Sequence, residues 1–356
     1  MPIVQMYHTF LARIRQLVPG ERDTRLRLLA WWMSGLVQSQ SVHLAHIARH
    51  LPGRSKRLSK VKRLERWLNN RFVCVRGWYR PLAEALLAQA AAHGRVRLII
   101  DCTQVGFDHQ LVMVALAYRR RALPIAWSWL CVHKGHSSGR LQRALLDYVR
   151  QLLPPDASVL VLGDSEFTPL HACLQSWGWL YALRQKGSHL IRTTPDAAWQ
   201  RGETLVSRPG ECVWLKDITL TQRHQHHSHF LAWWAQGESE PWLIATNLPT
   251  AAQTRLHYSR RMWVEEMFGD FKAHGFDLER SCLRHFQRLN RLTLIVALLY
   301  VWLLALGLKT MRAGQRHLVD RRDRRDLSLF RIGLEMAFYR LLNQMTLAFP
   351  TVPYFT

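Results

Sequence analysis

Two apolar β-type runs, VRLII and SVLVLG, each lead directly into an aspartate, Asp101 and Asp164. Between them lie two more β-type runs, LVMVALAY and ALPIAWSWLCV, and an amphipathic stretch from about Leu141 to Leu153 that Pro154-Pro155-Asp156 ends. A helix near Leu170 to Trp177 and a strand in WLYALR follow. Three strands, a helix, a strand, a helix and a strand is α/β order. If the first of these helices crosses over right-handed, the two strands run parallel in one sheet and both carboxylates stand at the same carboxyl edge. Neighbouring carboxylates repel, and a divalent cation removes the conflict. Hard oxygen ligands suit Mg²⁺ or Mn²⁺, which also accept a substrate phosphate as ligand. A third acid is expected from a helix packed near that edge.

The segment LHYSRRMWVEEMFGDFKAHG supplies it. At about 100° per residue, Tyr258 at 0°, Arg261 at about 300°, Glu265 at about 340° and Lys272 at about 320° share an arc of about 60°. One helix face then carries a phenol, a guanidinium, a carboxylate and an ammonium. Glu266 falls at about 80°, off that arc, so Glu265 is the expected ligand. A surface i,i+4 pair of Arg261 with Glu265 is the structural alternative.

The partner is indicated by charge. The 356 residues carry 49 Lys+Arg against 25 Asp+Glu, a net +24, whereas apolar content of 48% is ordinary for a globular chain. Such a field favours a polyanion, with nucleic acid ahead of an anionic membrane. Positions 1–90 hold 16 basic and 4 acidic residues, half of the net charge in a quarter of the length, on helical patterns broken at Pro52-Gly53. The densest cluster is Arg54, Lys56, Arg57, Lys60, Lys62, Arg63 and Arg66, where phosphate contact is expected.

The uncharged run Leu292 to Leu308 reaches the lower limit for spanning a bilayer, about 17 residues, but reads as a buried core helix. Six scattered cysteines with no C-x-x-C pair fit a reducing compartment. No signal-peptide core forms at the N-terminus, so a cytoplasmic, nucleoid-associated protein is expected. No P-loop is present, so no nucleotide cofactor is expected. The histidines His43, His46 and His50 on one helical pattern, and His224, His226, His227 and His229 in RHQHHSH, read as packing or loop groups rather than metal sites.

The spacing Y-x2-R-x3-E-x6-K, here Tyr258, Arg261, Glu265 and Lys272, resembles the signature of bacterial DDE transposases of insertion sequence family 4. The stretches IARHLPG and RLERWLNN are similar to that family's helical DNA-binding domain. The chain departs from many relatives at Ser165, where they carry Arg, and at Met262, where some carry Trp. The resemblance implies an α/β fold: a ribonuclease-H-like catalytic core with a β-strand insertion, preceded by a helical DNA-binding domain and followed by C-terminal helices. Expected boundaries are 1–92 for DNA binding, 93–186 and 248–310 for the two parts of the core, 187–247 for the insertion and 311–356 for helices that could dimerise. Asp101, Asp164 and Glu265 would hold two Mg²⁺ or Mn²⁺ ions for cleavage and strand transfer of DNA. Tyr258, Arg261 and Lys272 would grip phosphates, Trp242 would stack a flipped base beside a hairpin, and Arg184 and Lys186 would contact the element end. The implied partners are the terminal inverted repeats, target DNA and a second copy of the chain in a synaptic complex, with no membrane. A nuclease of the same fold that does not join ends, and an inactive DNA-binding relic, are the alternatives.

Overall fold

The computed structural model describes residues 2–106, 108–131, 137–222 and 225–355. Five helices come first: α1 (Pro2–Leu17), α2 (Asp23–Ser39), α3 (Leu44–His50), α4 (Arg57–Leu68) and α5 (Val75–Ala92). On α4 the apolar positions Leu64, Trp67 and Leu68 are buried, and the Trp67 indole donates to the Arg25 carbonyl at 3.1 Å. The basic positions take the other side: Arg57, Lys62, Arg63 and Arg66 are exposed, while Lys60 is half-buried and donates to the Leu51 carbonyl.

The next three strands, β1 (Val96–Val105), β2 (His109–Tyr118) and β3 (Arg121–Cys131), form an antiparallel meander. Helix α6 (Gly139–Arg150), capped by the Ser138 hydroxyl, returns the chain so that β4 (Val159–Gly163) lies parallel to β1. After a 3₁₀ turn at Ser165–Leu170 and α7 (His171–Ser176), β5 (Leu180–Arg184) lies parallel to β4. The expected parallel pairing and the element order are therefore observed. One detail differs: β1 does not end at Asp101 but continues to Val105, because β2 keeps pairing with it as far as His109. On the other side β4 stops at Gly163, opposite Ile100. The β4-side edge of β1 is thus open from Asp101 onward, and that opening is where the candidate site forms.

The inserted strands do not make a separate layer. In chain order they are β6 (Leu190–Arg192), β7 (Gln200–Arg201), β8 (Cys212–Leu220), β9 (His226–Trp233) and β10 (Trp242–Thr246). β10 pairs antiparallel with β5, giving one ten-stranded sheet in the order β3-β2-β1-β4-β5-β10-β9-β8-β6-β7. Alternation along β9 and β10 splits their side chains between two cores. Leu231 and Ile244 join the main core, whereas Phe230, Ala232, Leu243 and Ala245 pack with Ile191, Val206, Ile218 and Leu220 in a small core of the insertion.

The signature segment is two helices, α8 (Ala251–Tyr258) and α9 (Trp263–Phe271), separated by a 3₁₀ turn at Ser259–Met262. Helix α10 (Phe286–Arg312) is the one helix among the described residues long and apolar enough to cross a membrane, but 94% of its most apolar stretch is buried inside the fold. It packs against β3, α2, α4 and α5, so the N-terminal helices share one continuous core with the sheet. Helix α11 (Leu329–Leu342) crosses α10 at two glycines: a Cβ on Gly333 would fall 1.9 Å from the Leu303 carbonyl oxygen. Backbones can approach that closely only without side chains at the crossing. The apolar face of α11 is spent on this contact, with Phe330, Leu334, Met336 and Ala337 fully buried.

Candidate active site

Asp101 and Asp164 meet at the open edge of β1. Each is oriented the same way, with one carboxylate oxygen accepting from the next backbone N–H: Cys102 N to Asp101 Oδ1 at 2.8 Å, and Ser165 N to Asp164 Oδ1 at 2.7 Å. The second oxygen of each faces Arg261. The guanidinium Nη2 lies 2.9 Å from Asp101 Oδ2, 3.6 Å from Asp164 Oδ2 and 3.6 Å from Glu265 Oε1. Three acids from β1, the end of β4 and α9 therefore converge on one cationic nitrogen.

Exposure is graded across the site. The Asp101 side chain is 8% exposed, Asp164 36% and Glu265 52%. Burial pushes the Asp101 carboxyl up to about 7; Arg261 opposes the shift, and the charges of Glu265 and Asp164 add to it. One guanidinium does not neutralise three carboxylates, and the excess negative charge sits beside a buried acid.

Among the described residues no group of three or more His, Cys, Asp or Glu side chains is spaced to hold a metal ion as it stands. In this triad the reason is visible. The Arg261 side chain occupies the centre, at contacts of 2.9 to 3.6 Å, whereas Mg²⁺ requires oxygen at about 2.0–2.1 Å. The donor set itself fits a hard divalent cation: three carboxylates, two of them held by backbone N–H groups, with charge left over. Occupation requires Arg261 to yield the centre.

Glu266 turns away from the triad and pairs with Arg121 at 2.8 Å, so Glu265 alone of the two reaches Arg261. Tyr258 is buried, and its hydroxyl has no hydrogen-bond partner among the described residues. Burial pushes its pKa up, with the Arg261, Asp164, Arg184 and Asp101 charges all close enough to act on it. The expected single face breaks at both ends. The 3₁₀ turn interrupts the helix after Tyr258, and Lys272 is the residue that ends α9, where it pairs with Glu279 at 3.4 Å rather than facing the triad. Trp242 is half-buried, edge-on to Trp233 at 5.2 Å and to Tyr258 at 5.1 Å. Arg184 pairs with Glu240 at 2.5 Å, and Lys186 is exposed. Both line a cleft of about 500 Å³ that includes Asp164 and Ser165. The α4 residues Arg57, Lys60, Lys62, Arg63 and Arg66 are on a different element, whose C-terminal end meets the start of α10, where Arg288 Nε donates to Asn69 Oδ1 at 2.5 Å.

One acid escaped sequence reasoning. Glu166 accepts from Ser137 N and Ser137 Oγ, both at 2.5 Å, and from the Cys102 thiol at 3.5 Å. It fixes the approach to α6 beside β1. Its only sequence signal is the D-x-E spacing with Asp164. His43 and His46 lie with their ring centroids 4.7 Å apart and their planes tilted, and His224 lies outside the described residues.

Residues 134–302 match the family model of a transposase DDE domain, a stretch that includes Asp164 and Glu265 and begins after Asp101. Among solved structures the chain is similar to the piggyBac transposase in a cryo-EM synaptic complex with hairpin DNA. That similarity has a TM-score of 0.42 and 10% identity, over 99% of this chain and 83% of the other. No curated protein matches the sequence. The family match covers the second and third acids of the triad.

Proposed function

We propose that this chain is a DDE transposase of the insertion sequence family 4 type, which binds the ends of its element and cuts and joins DNA. The observation that carries the proposal is the convergence of Asp101, Asp164 and Glu265 within 3.6 Å of a single cationic nitrogen. The strand order β3-β2-β1-β4-β5, with its antiparallel meander and two parallel strands, supports the ribonuclease-H-like core.

Asp101, Asp164 and Glu265 would hold one or two Mg²⁺ or Mn²⁺ ions. Bound there, such ions lower the pKa of an attacking water or 3′-hydroxyl and stabilise the leaving oxygen. The residues of the chain supply the rest. The N–H groups of Cys102 and Ser165 fix the carboxylate orientations. Arg261, displaced from the acids, is within reach of a phosphodiester at the same place, and a bidentate guanidinium suits it. Lys186 on the cleft rim adds a mobile positive charge, and the unpartnered Tyr258 hydroxyl is a donor or acceptor held dry beside the triad. Half-buried Trp242 would stack an unpaired base only by giving up part of its packing on Tyr258 and Trp233. The exposed face of α4 would hold duplex phosphates. Synapsis of two ends requires a second copy of the chain.

The test uses DNA flanking the coding sequence, with Mg²⁺, purified chain and a target plasmid. Wild type cuts at the element ends and joins them to the target. Asp101→Asn, Asp164→Asn and Glu265→Gln each bind the DNA but do not cut it. Cutting without joining when precut ends are supplied assigns a nuclease instead. Retained cutting in all three variants overturns the triad.

A further inference from the structure

The run DRRDRRD, Asp320 to Asp326, alternates in sign along the sequence but not in space. Asp320 is nearly buried, with only 3% of its side chain exposed, and is held by Arg316 at 2.5 Å. Asp326 pairs with Arg324 at 2.9 Å. Asp323 is exposed and lies off the concavity that the arginines line. That concavity, about 440 Å³ beyond the C-terminal end of α10, is lined by Arg316, His317, Arg321, Arg322 and Arg325 and, among the described residues, by no acid. Arg321, Arg322 and Arg325 make no ion pair and no side-chain hydrogen bond among the described residues. Three unneutralised guanidinium groups in one hollow repel each other and are relieved by an anion with several phosphates in reach.

We propose that this arginine hollow is a second, sequence-independent site for the phosphate backbone of duplex DNA, separate from the triad and from α4. The proposal rests on the DNA-handling reading above and extends it to a place that reading does not use. Its position supports a long polyanion over a small one. Helix α10 meets the end of α4 at Arg288 and Arg291 and reaches the hollow at Met311, about 20 residues or about 30 Å along its axis. A B-DNA turn is about 34 Å, so the hollow and the junction of α4 with α10, which lies two residues past Arg66, are separated on the scale of one turn of duplex.

The experiment measures binding of the full chain to a random-sequence duplex as a function of salt. Arg321→Gln/Arg322→Gln/Arg325→Gln is compared with wild type, and the triple lysine variant tests rescue by charge. Each lost phosphate contact lowers the log–log salt slope by about 0.9, so the glutamine variant is expected to lose about 2 to 3 in slope while the lysine variant keeps it. The three side chains are exposed, and unchanged thermal melting shows that the fold is intact. An unchanged slope in a folded glutamine variant that still binds duplex overturns the hollow as a DNA site and leaves the transposase reading standing. A wild type that binds no duplex at all removes both. Loss of binding to vesicles containing anionic phospholipid, with DNA binding unaffected, assigns the hollow to a membrane surface and also overturns the proposal.

Discussion

Replacing Asp101 with asparagine is expected to stabilise the metal-free protein while abolishing its activity. Burial moves the Asp101 carboxyl from 3.8 to about 7, so between those values the folded chain holds a proton that the unfolded chain has lost. Stability therefore falls as pH rises through that window. At about 1.4 kcal/mol per tenfold change, the full window corresponds to at most about 4 kcal/mol. Asparagine has nearly the shape of the protonated acid and never ionises. In chelator at pH 8, Asp101→Asn should be more stable by up to that amount, with the difference vanishing near pH 4. Urea denaturation across pH 4 to 8, in chelator and in excess Mg²⁺, measures it. Mg²⁺ should restore wild-type stability at pH 8 by binding the ionised triad, and should leave the variant unaffected. The reasoning is refuted if the variant is no more stable than wild type at pH 8 in chelator, or if wild-type stability rises with pH relative to the variant.

Glu265→Gln and Glu266→Gln should separate sharply in a cleavage assay. The first removes a triad oxygen and activity with it; the second loses only a pair with Arg121 whose acid is 57% exposed, worth at most about 1 kcal/mol of stability in denaturation. Gly333→Ala places a Cβ against the Leu303 carbonyl and should lower stability by about 1–3 kcal/mol or more, read as a lower urea midpoint with DNA contacts untouched. His171 is held neutral by burial, its pKa pushed down to about 3, so it makes the fold less stable as pH drops below 6.5. His171→Gln should flatten that acid-side loss between pH 6.5 and 4 in thermal melting.

Much of the site is legible in the sequence because its parts obey simple periodicities. VRLII and SVLVLG are short, β-branched-rich runs bounded by Gly and Pro, which favours strands over helices, and a crossover between parallel strands puts Asp101 beside Asp164. The i,i+4 spacing of Arg261 and Glu265 survives the 3₁₀ turn that precedes α9, which is why helical phase separates Glu265 from Glu266. The wheel fails at Lys272, because one residue at a helix end leaves the helical path and follows its own partner, Glu279. Long-range consequences are hidden for a similar reason. No local pattern says that β10 pairs with β5 and carries the insertion into the same sheet, or that Arg261 fills the space between the acids. Nor does it say that α10 fuses the N-terminal helices to the sheet. The alternating run at Asp320 to Asp326 reads as solvated because sequence order does not show which charges pair and which line a hollow.

Anomalous diffraction from crystals soaked in Mn²⁺, with and without an end-containing duplex, addresses the triad most directly. Manganese density is expected within about 2.0–2.6 Å of carboxylate oxygens of Asp101, Asp164 and Glu265, with the Arg261 guanidinium moved out of the centre. Manganese bound elsewhere, with Arg261 still seated among the three acids when DNA is present, contradicts it.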